Sequence, residues 1–374
     1  MKMKVKTSHV GSLPRSQKVV DFIFAKEKEQ AYDKLVFDQT MKEAVELTVK
    51  KQKDSGINIV SDGETSKISY ATYVKDRYYG FGGDSPRNPP ADLELFPKYL
   101  EKLANSGGTP KYARPMCIDK LEPKKNDDLD KDISNLTLSI KNNGIEKGFM
   151  NSASPGVISL FLQNQYYPTR EAYLEALSLL MKVEYEKIVN AGLDLQIDCP
   201  DLALSRHMLF SEMTDDEFIK IASLNIEALN NALSNIPKEK IRIHICWGNY
   251  EGPHVCDISI DKMFNSLMSV KTGHILFEAA NPRHAHEWEV FEDKKMSIPD
   301  DLILMPGVID TTTNFVEHPN LVSQRLRNFT EIVGGERVIA STDCGFGTFA
   351  GFGTIDPDIA YEKLNTLSKG ASNV

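Results

Sequence analysis

The segment 194-DLQIDCPDLALSRHMLFSEMTDDEFIKIASLNIEALNNALSNIPKEKIRIHIC-246 contains a β-branched apolar run, a connection, an amphipathic stretch and a second β-branched run. Its ends, 194-DLQIDC-199 and 241-IRIHIC-246, have the length and composition of buried strands, and 214–235 repeats apolar residues at helical spacing. Thr214 stands ahead of DDEFIKIASL as a helix N-cap would. The order is that of a parallel strand–helix–strand unit. The same alternation runs outward in both directions. Further strand-like runs are 4-KVKTSHV-10, 57-INIVSDG-63, 148-GFMNSAS-154, 274-HILFEA-279, 303-ILMPGVID-310 and 337-RVIASTDC-344, which brings the total to eight. Helical periodicity recurs at 38–55, 169–191, 259–269 and 319–333. Eight parallel units close a (β/α)8 TIM barrel of the α/β class. A doubly wound sheet competes, but no G-x-G-x-x-G or P-loop follows any run.

Residues 66–145 interrupt the alternation with the proline-rich 84-DSPRNPPADLELFP-97, a strand-pair signal around 111-KYARPMCI-118 and the charged run 119-DKLEPKKNDDLDKD-132. They read as an excursion on the barrel rim after the second strand, so that 1–374 makes one domain. The chain's 41% hydrophobic and 26% charged residues suit a globular protein with a large core. No stretch approaches the roughly 18 consecutive apolar residues of a membrane span, and MKMKVKTSHVGS does not read as a signal peptide. A net charge of -9 argues against general affinity for nucleic acid or an anionic membrane. Five cysteines do not form a disulfide framework, which points to the cytoplasm and to thiols that bind metal or act as nucleophiles.

Functional groups of such a barrel sit where its strands end. Side chains at i and i+2 on a strand share a face, so His244 and Cys246 enter the barrel mouth together while Ile245 points away. Glu278 and Cys344 fall at the ends of the sixth and eighth runs. A His/Cys/Cys set with a carboxylate matches zinc in ligand type. The other thiols carry weaker signals: Cys117 and Cys256 read as packing, and Cys199 as packing beside the mouth. His284 and His286 do not share a helical face and read as surface or capping residues, and His254 and His274 as structural or exposed.

With these residues placed, the chain resembles the cobalamin-independent methionine synthase family, in its single-barrel branch corresponding to the C-terminal catalytic half. The likeness rests on 7-TSHVGSLPR-15, 57-INIVSDGE-64, 194-DLQIDCPDLAL-204, 244-HICWGNYEGPH-254, 277-FEAANPRHAHEWEVFED-293, 306-PGVIDTTTNFVEHP-319 and 342-TDCGFGTFAG-351. It implies a UROD/methionine synthase-like barrel with Zn2+ on His244, Cys246, Glu278 and Cys344. It also implies a homocysteine site at Val10, Ser12, Glu64 and Asp198, whose two carboxylates would meet the substrate ammonium. Phe161 stands where the family has a stacking tryptophan, and Thr312 where it has a proton-donating histidine; His9 and Asp310 are the remaining candidates for proton transfer. The expected activity is zinc-dependent methyl transfer to the thiol of homocysteine, giving methionine. Its partners would be a small thiol and a methyl or alkyl donor, methyltetrahydrofolate or another. One alternative is a thiol alkyltransferase of the epoxyalkane:coenzyme M type, with Arg15 and Arg283 as candidate sulfonate cations. Another, of a different class, is a zinc-binding protein without turnover.

Overall fold

The computed structural model describes residues 5–85, 89–105, 112–353 and 355–374. Lys4 of the first run, 86–88 of the proline-rich stretch and Lys111 lie outside the described residues.

All eight runs supply a barrel strand: β1 Lys6–Thr7, β2 Ile59–Val60, β3 Lys147–Ala153, β4 Asp194–Asp198, β5 Ile241–His244, β6 His274–Glu278, β7 Ile303–Gly307 and β8 Ile339–Ala340. Strands β2 to β7 form one parallel sheet in chain order. The ring closes through parallel bridges Leu304↔Val338 and Gly307↔Ser341 between β7 and β8, and through the pairing of β8 with β1. Between β1 and β2, Asn58 N–H donates to the Thr7 carbonyl at 3.1 Å and the Ser8 hydroxyl to the Ile59 carbonyl at 3.2 Å. Helices Lys34–Asp54, Arg170–Asn190, Asp215–Ala232, Ile260–Met268 and Pro319–Val333 stand where the periodicity placed them. Thr169 and Thr214 cap two of these, the latter in a reciprocal capping box with Glu217. No described helix is long and apolar enough to cross a membrane.

Alternation along the strands separates two cores. Ile241, Ile243 and Ile245 join the large core between barrel and helices, whereas Val10, Ile59, Phe149, Leu276, Met305 and Ile339 plug the barrel interior. Stepping two residues along the inward-facing positions toward the strand ends reaches the chemistry: Leu276 leads to Glu278, buried Arg242 to His244 and then Cys246, and buried Gln196 to Asp198. Gly307 matters for the same reason, because any Cβ there would collide with the Asp343 side chain and backbone.

The 66–145 segment holds a hairpin, but its strands are Tyr78–Gly82 and Met116–Pro123, paired antiparallel. The first half of the charged run is therefore an edge strand whose Asp119, Lys120 and Glu122 face solvent. Its second half opens the helix Asp128–Asn142, which packs on Lys34–Asp54 through Lys131–Asp38 and Asn143–Glu46 contacts. That helix takes its place in the outer ring between β2 and β3, so the rim feature proper ends before it.

Candidate metal centre and substrate pocket

His244, Cys246 and Cys344 converge: one potential ligand atom from each lies within 4.8 Å of the others, and all three residues are buried. The sulfurs of Cys246 and Cys344 are 3.8 Å apart. Two thiolates bound to one tetrahedral zinc at about 2.3 Å are separated by about 3.8 Å, so the spacing suits that ion. The neighbour's thiol and then burial push Cys246 well above the ordinary thiol range, and Glu278 adds negative potential. Two buried thiols beside a carboxylate are short of positive charge, which a divalent cation supplies. Burial alone would lower His244, but the Asp198 hydrogen bond and the charges of Cys246 and Glu278 outweigh it and raise the imidazole to about 9.

Glu278 stands beside this trio, outside the converging set. Its carboxylate accepts from Trp247 N–H at 2.9 Å and from the Asn281 side-chain amide at 2.7 Å. Asp343, next to Cys344, accepts three backbone N–H groups, from Ala279 and Ala280 at 2.9 Å and Asn281 at 2.8 Å. The loop carrying Glu278 is thereby tied to the segment carrying Cys344. Asp343 stands with Cys344 at the polar end of the eighth run, whereas the signal for Asn281 is its adjacency to the Glu278 motif.

A cavity of about 630 Å³ opens over the centre and is lined by all four residues of the expected substrate site, Val10, Ser12, Glu64 and Asp198. Asp198 carries more than the sequence suggested. One oxygen lies 3.1 Å from His244 Nδ1 and the other accepts from Asn151 at 3.0 Å, so it orients the imidazole as well as facing the cavity. Glu64 has a left-handed backbone, φ 53°, rare for a side-chain-bearing residue and concentrated at functional sites. Burial pushes its carboxyl up to about 7, against Lys67 and Arg15 and with Asp198. The rest of the cavity is mainly apolar: Tyr70, Leu93, Phe161, Met208, Phe349 and Phe352, with Arg114 the one cationic side chain among the described lining residues besides His244. Phe161 meets Tyr70 edge to face at 5.8 Å, and Arg114 lies 5.3 Å over its ring.

Two expected proton-transfer residues are elsewhere. Ser8 faces the barrel interior, so His9 faces outward: its Nε2 is 2.7 Å from Gln52 of the helix Lys34–Asp54, and burial lowers it to about 4. Asp310 folds back on its own turn and accepts from the backbone and hydroxyl groups of Thr312 and Thr313. Arg15 spends its guanidinium on the carbonyls of Gly347, Glu64 and Lys67, and Arg283 is exposed, so neither lines the cavity.

The family described as cobalamin-independent synthase, catalytic domain, matches residues 163–356, just over half of the chain. The chain belongs to that family. It is a methyltransferase by the same token. It is similar to a methionine synthase from Sulfolobus acidocaldarius, 22% identical over 89% of this chain and 81% of the relative. It is also similar to a 2-hydroxypropyl-CoM lyase from Xanthobacter autotrophicus, 21% identical over 99% of this chain and 95% of the relative. Among solved structures, a B12-independent methionine synthase from Shewanella in complex with selenomethionine superposes with a TM-score of 0.72 at 20% identity, covering 99% and 97% of the two chains, and shares the fold.

Beside the His244, Cys246 and Cys344 trio, this cobalamin-independent synthase barrel holds a buried polar knot that sequence reasoning missed. Asp257 sits 3.2 Å from His207 Nδ1, 2.9 Å from His254 Nδ1 and 2.9 Å from His284 Nε2, and His284 Nδ1 is 2.8 Å from Glu287. His284, read from the sequence as a surface or capping residue, is buried here because its spacing to Glu287 and the loop at Asp257 enclose it. The knot joins the loops after β4, β5 and β6. Burial would raise Asp257, but its contacts with three histidines hold it far below the carboxylate range; burial would lower His284, but Asp257 and Glu287 lift it to about 10. Asp257→Asn is expected to cost about 3–5 kcal/mol of stability, because imidazolium loses a buried partner. The His284 share of that stability is fully present below its unfolded pKa of about 6.5 and lost as pH rises through about 10. Thermal unfolding midpoints across that range should show the wild-type advantage over Asp257→Asn shrinking toward alkaline pH.

Proposed function

We propose that this chain is a zinc-dependent homocysteine S-methyltransferase that forms methionine, working in the cytoplasm. The observation that carries the reading is that the His244, Cys246 and Cys344 trio and the Glu64 and Asp198 carboxylates line one cavity. His244, Cys246 and Cys344 would hold the zinc, with Glu278 beside them, and the ion would keep a thiol deprotonated and nucleophilic at neutral pH. The chain's own residues do the rest. Glu64 offers an unengaged carboxylate to the substrate ammonium, and Asp198 adds negative potential while holding His244 in orientation. Asn151 ties Asp198 to the Val10 carbonyl, which fixes the floor of the amino-acid end. The apolar walls at Leu93, Met208, Phe349 and Phe352 exclude water around the methyl carbon, where a C–S bond forms as the bond to the donor breaks and its electron pair leaves with the donor.

Thr312 hydrogen-bonds Asp310 and supplies no strong acid, and Tyr70 is held protonated far above its ordinary range by burial. A donor whose leaving group departs without protonation, such as a methylsulfonium or methylcorrinoid, suits this pocket better than methyltetrahydrofolate. Zinc-loaded protein with homocysteine and each of these three donors should give methionine with at least one of the first two; methionine from none of them refutes the reading. The second reading, alkyl transfer to coenzyme M, has support in the lyase relative. Among the described lining residues a sulfonate would find Arg114 alone as a cationic partner besides His244, since Arg15 and Arg283 are absent from the lining. Thermal-shift titration should therefore favour homocysteine over coenzyme M.

A further inference from the structure

The Glu64 carboxylate is buried and ionisable, yet no described hydrogen-bond donor reaches either of its oxygens. Its backbone, by contrast, is firmly held: Glu64 N–H donates to Asp62 at 2.9 Å, and its carbonyl accepts from Arg15 at 2.6 Å and from Lys67 N–H at 3.1 Å. The nearest cation to the carboxylate is Lys67, whose ammonium stands 3.9 Å from Oε2 with both side chains almost fully buried. That ammonium is anchored elsewhere. It donates to the Asn151 carbonyl at 2.7 Å and lies 4.4 Å over the Tyr73 ring. Tyr73 is itself fixed, its hydroxyl 2.6 Å from buried Glu184, which Arg77 neutralises at 2.9 Å. The Arg15 guanidinium also binds the Lys67 carbonyl at 3.2 Å, so Glu64 and Lys67 are mounted on one clamp.

We propose that Lys67 is the positioning residue of the ammonium site: it neutralises Glu64 through space while leaving the carboxylate's hydrogen-bonding positions free for a substrate amino group. The inference rests on the homocysteine reading above. The physical logic is a division of labour. A lysine bonded to Glu64 at hydrogen-bond distance would compete with the substrate, and a buried Glu64 with no cation nearby would take up a proton and stop attracting an ammonium. Held a little beyond hydrogen-bond range by Asn151 and Tyr73, Lys67 avoids the first outcome and works against the second, opposing the burial that lifts the Glu64 carboxyl. The charged groups facing Glu64 are Lys67, Arg15, Asp62 and Asp198. Of the two cations, Lys67 favours the ionised carboxylate more than Arg15 does and stands 3.9 Å from it, while the Arg15 guanidinium holds backbone carbonyls.

The test compares binding of homocysteine with that of the thiol acid lacking only its amino group, by calorimetry on zinc-loaded protein. Wild type should prefer homocysteine by about 10- to 100-fold, the worth of a hydrogen bond between charged groups. No preference in wild type overturns the homocysteine reading, and the inference with it. Given that preference, Lys67→Met should weaken homocysteine about tenfold or more and leave the amino-free thiol within about twofold, while Lys67→Arg restores most of the loss. The acid limb of homocysteine binding should also move up by about one pH unit in Lys67→Met, since Glu64 then takes up its proton sooner. Lys67→Gln keeps a donor for Asn151 and removes only the charge, so it gives the same comparison if Lys67→Met does not fold. Equal weakening of both thiols, or unchanged homocysteine binding in these neutral variants, overturns the assignment.

Discussion

Cys344→Ala should purify without stoichiometric zinc and form methionine at least about a thousandfold more slowly than wild type, equivalent to roughly 4 kcal/mol of barrier. The reasoning is geometric. The trio supplies two of its three potential ligand atoms through sulfurs set 3.8 Å apart, and alanine removes one sulfur without offering a replacement. Cys199→Ala is the matched control. That thiol is also fully buried, but it belongs to the hydrophobic core and does not line the cavity. It should retain zinc and lose only a modest amount of thermal stability. Zinc content by elemental analysis together with initial rates separates the two variants. A fully active, metal-replete Cys344→Ala protein would remove the basis for a metal centre here.

Asp198→Ala should damage two properties at once. Asp198 links His244 Nδ1 to Asn151 and also lines the substrate cavity beside Glu64. Partners that orient a ligating histidine are typically worth about 10–100-fold in metal affinity, so chelator competition should show a loss of that size. With zinc restored by excess metal, the KM for homocysteine should remain raised about tenfold or more, because one of two carboxylates near the ammonium is gone. A substrate-only role predicts unchanged chelator competition, and an imidazole-only role predicts a normal KM once zinc is restored.

The strands were legible because most are short apolar runs buried on both faces, a pattern that survives without knowledge of its partners; Lys147–Ala153, with no β-branched residue, was legible from its burial and its polar end. The rim was less so. Tyr78–Gly82 is glycine-bearing and half exposed, and the helix Asp128–Asn142 begins inside a charged run because its outer face is solvated. The trio could be read from two-residue spacing at strand ends, since Ile245 must face the helices for the barrel to pack. His9 shows the limit of that logic: alternation says that His9 and Ser8 face opposite ways, but which one faces inward is decided by Gln52 and Arg242, far away in sequence. Glu278 ends β6, yet its engagement depends on Trp247 N–H and Asn281, which spacing does not reveal. Lys67 and the Asp257 knot acquire meaning only through tertiary neighbours.

Methyl transfer as proposed requires that a zinc ion held by His244, Cys246 and Cys344 would bind the substrate sulfur directly. Zinc K-edge absorption on the metal-loaded protein, recorded with and without homocysteine, measures this as a sulfur count. Two sulfurs without the substrate and three with it are the predicted result. An unchanged spectrum on saturation with homocysteine, or a coordination shell containing no protein sulfur, would contradict it.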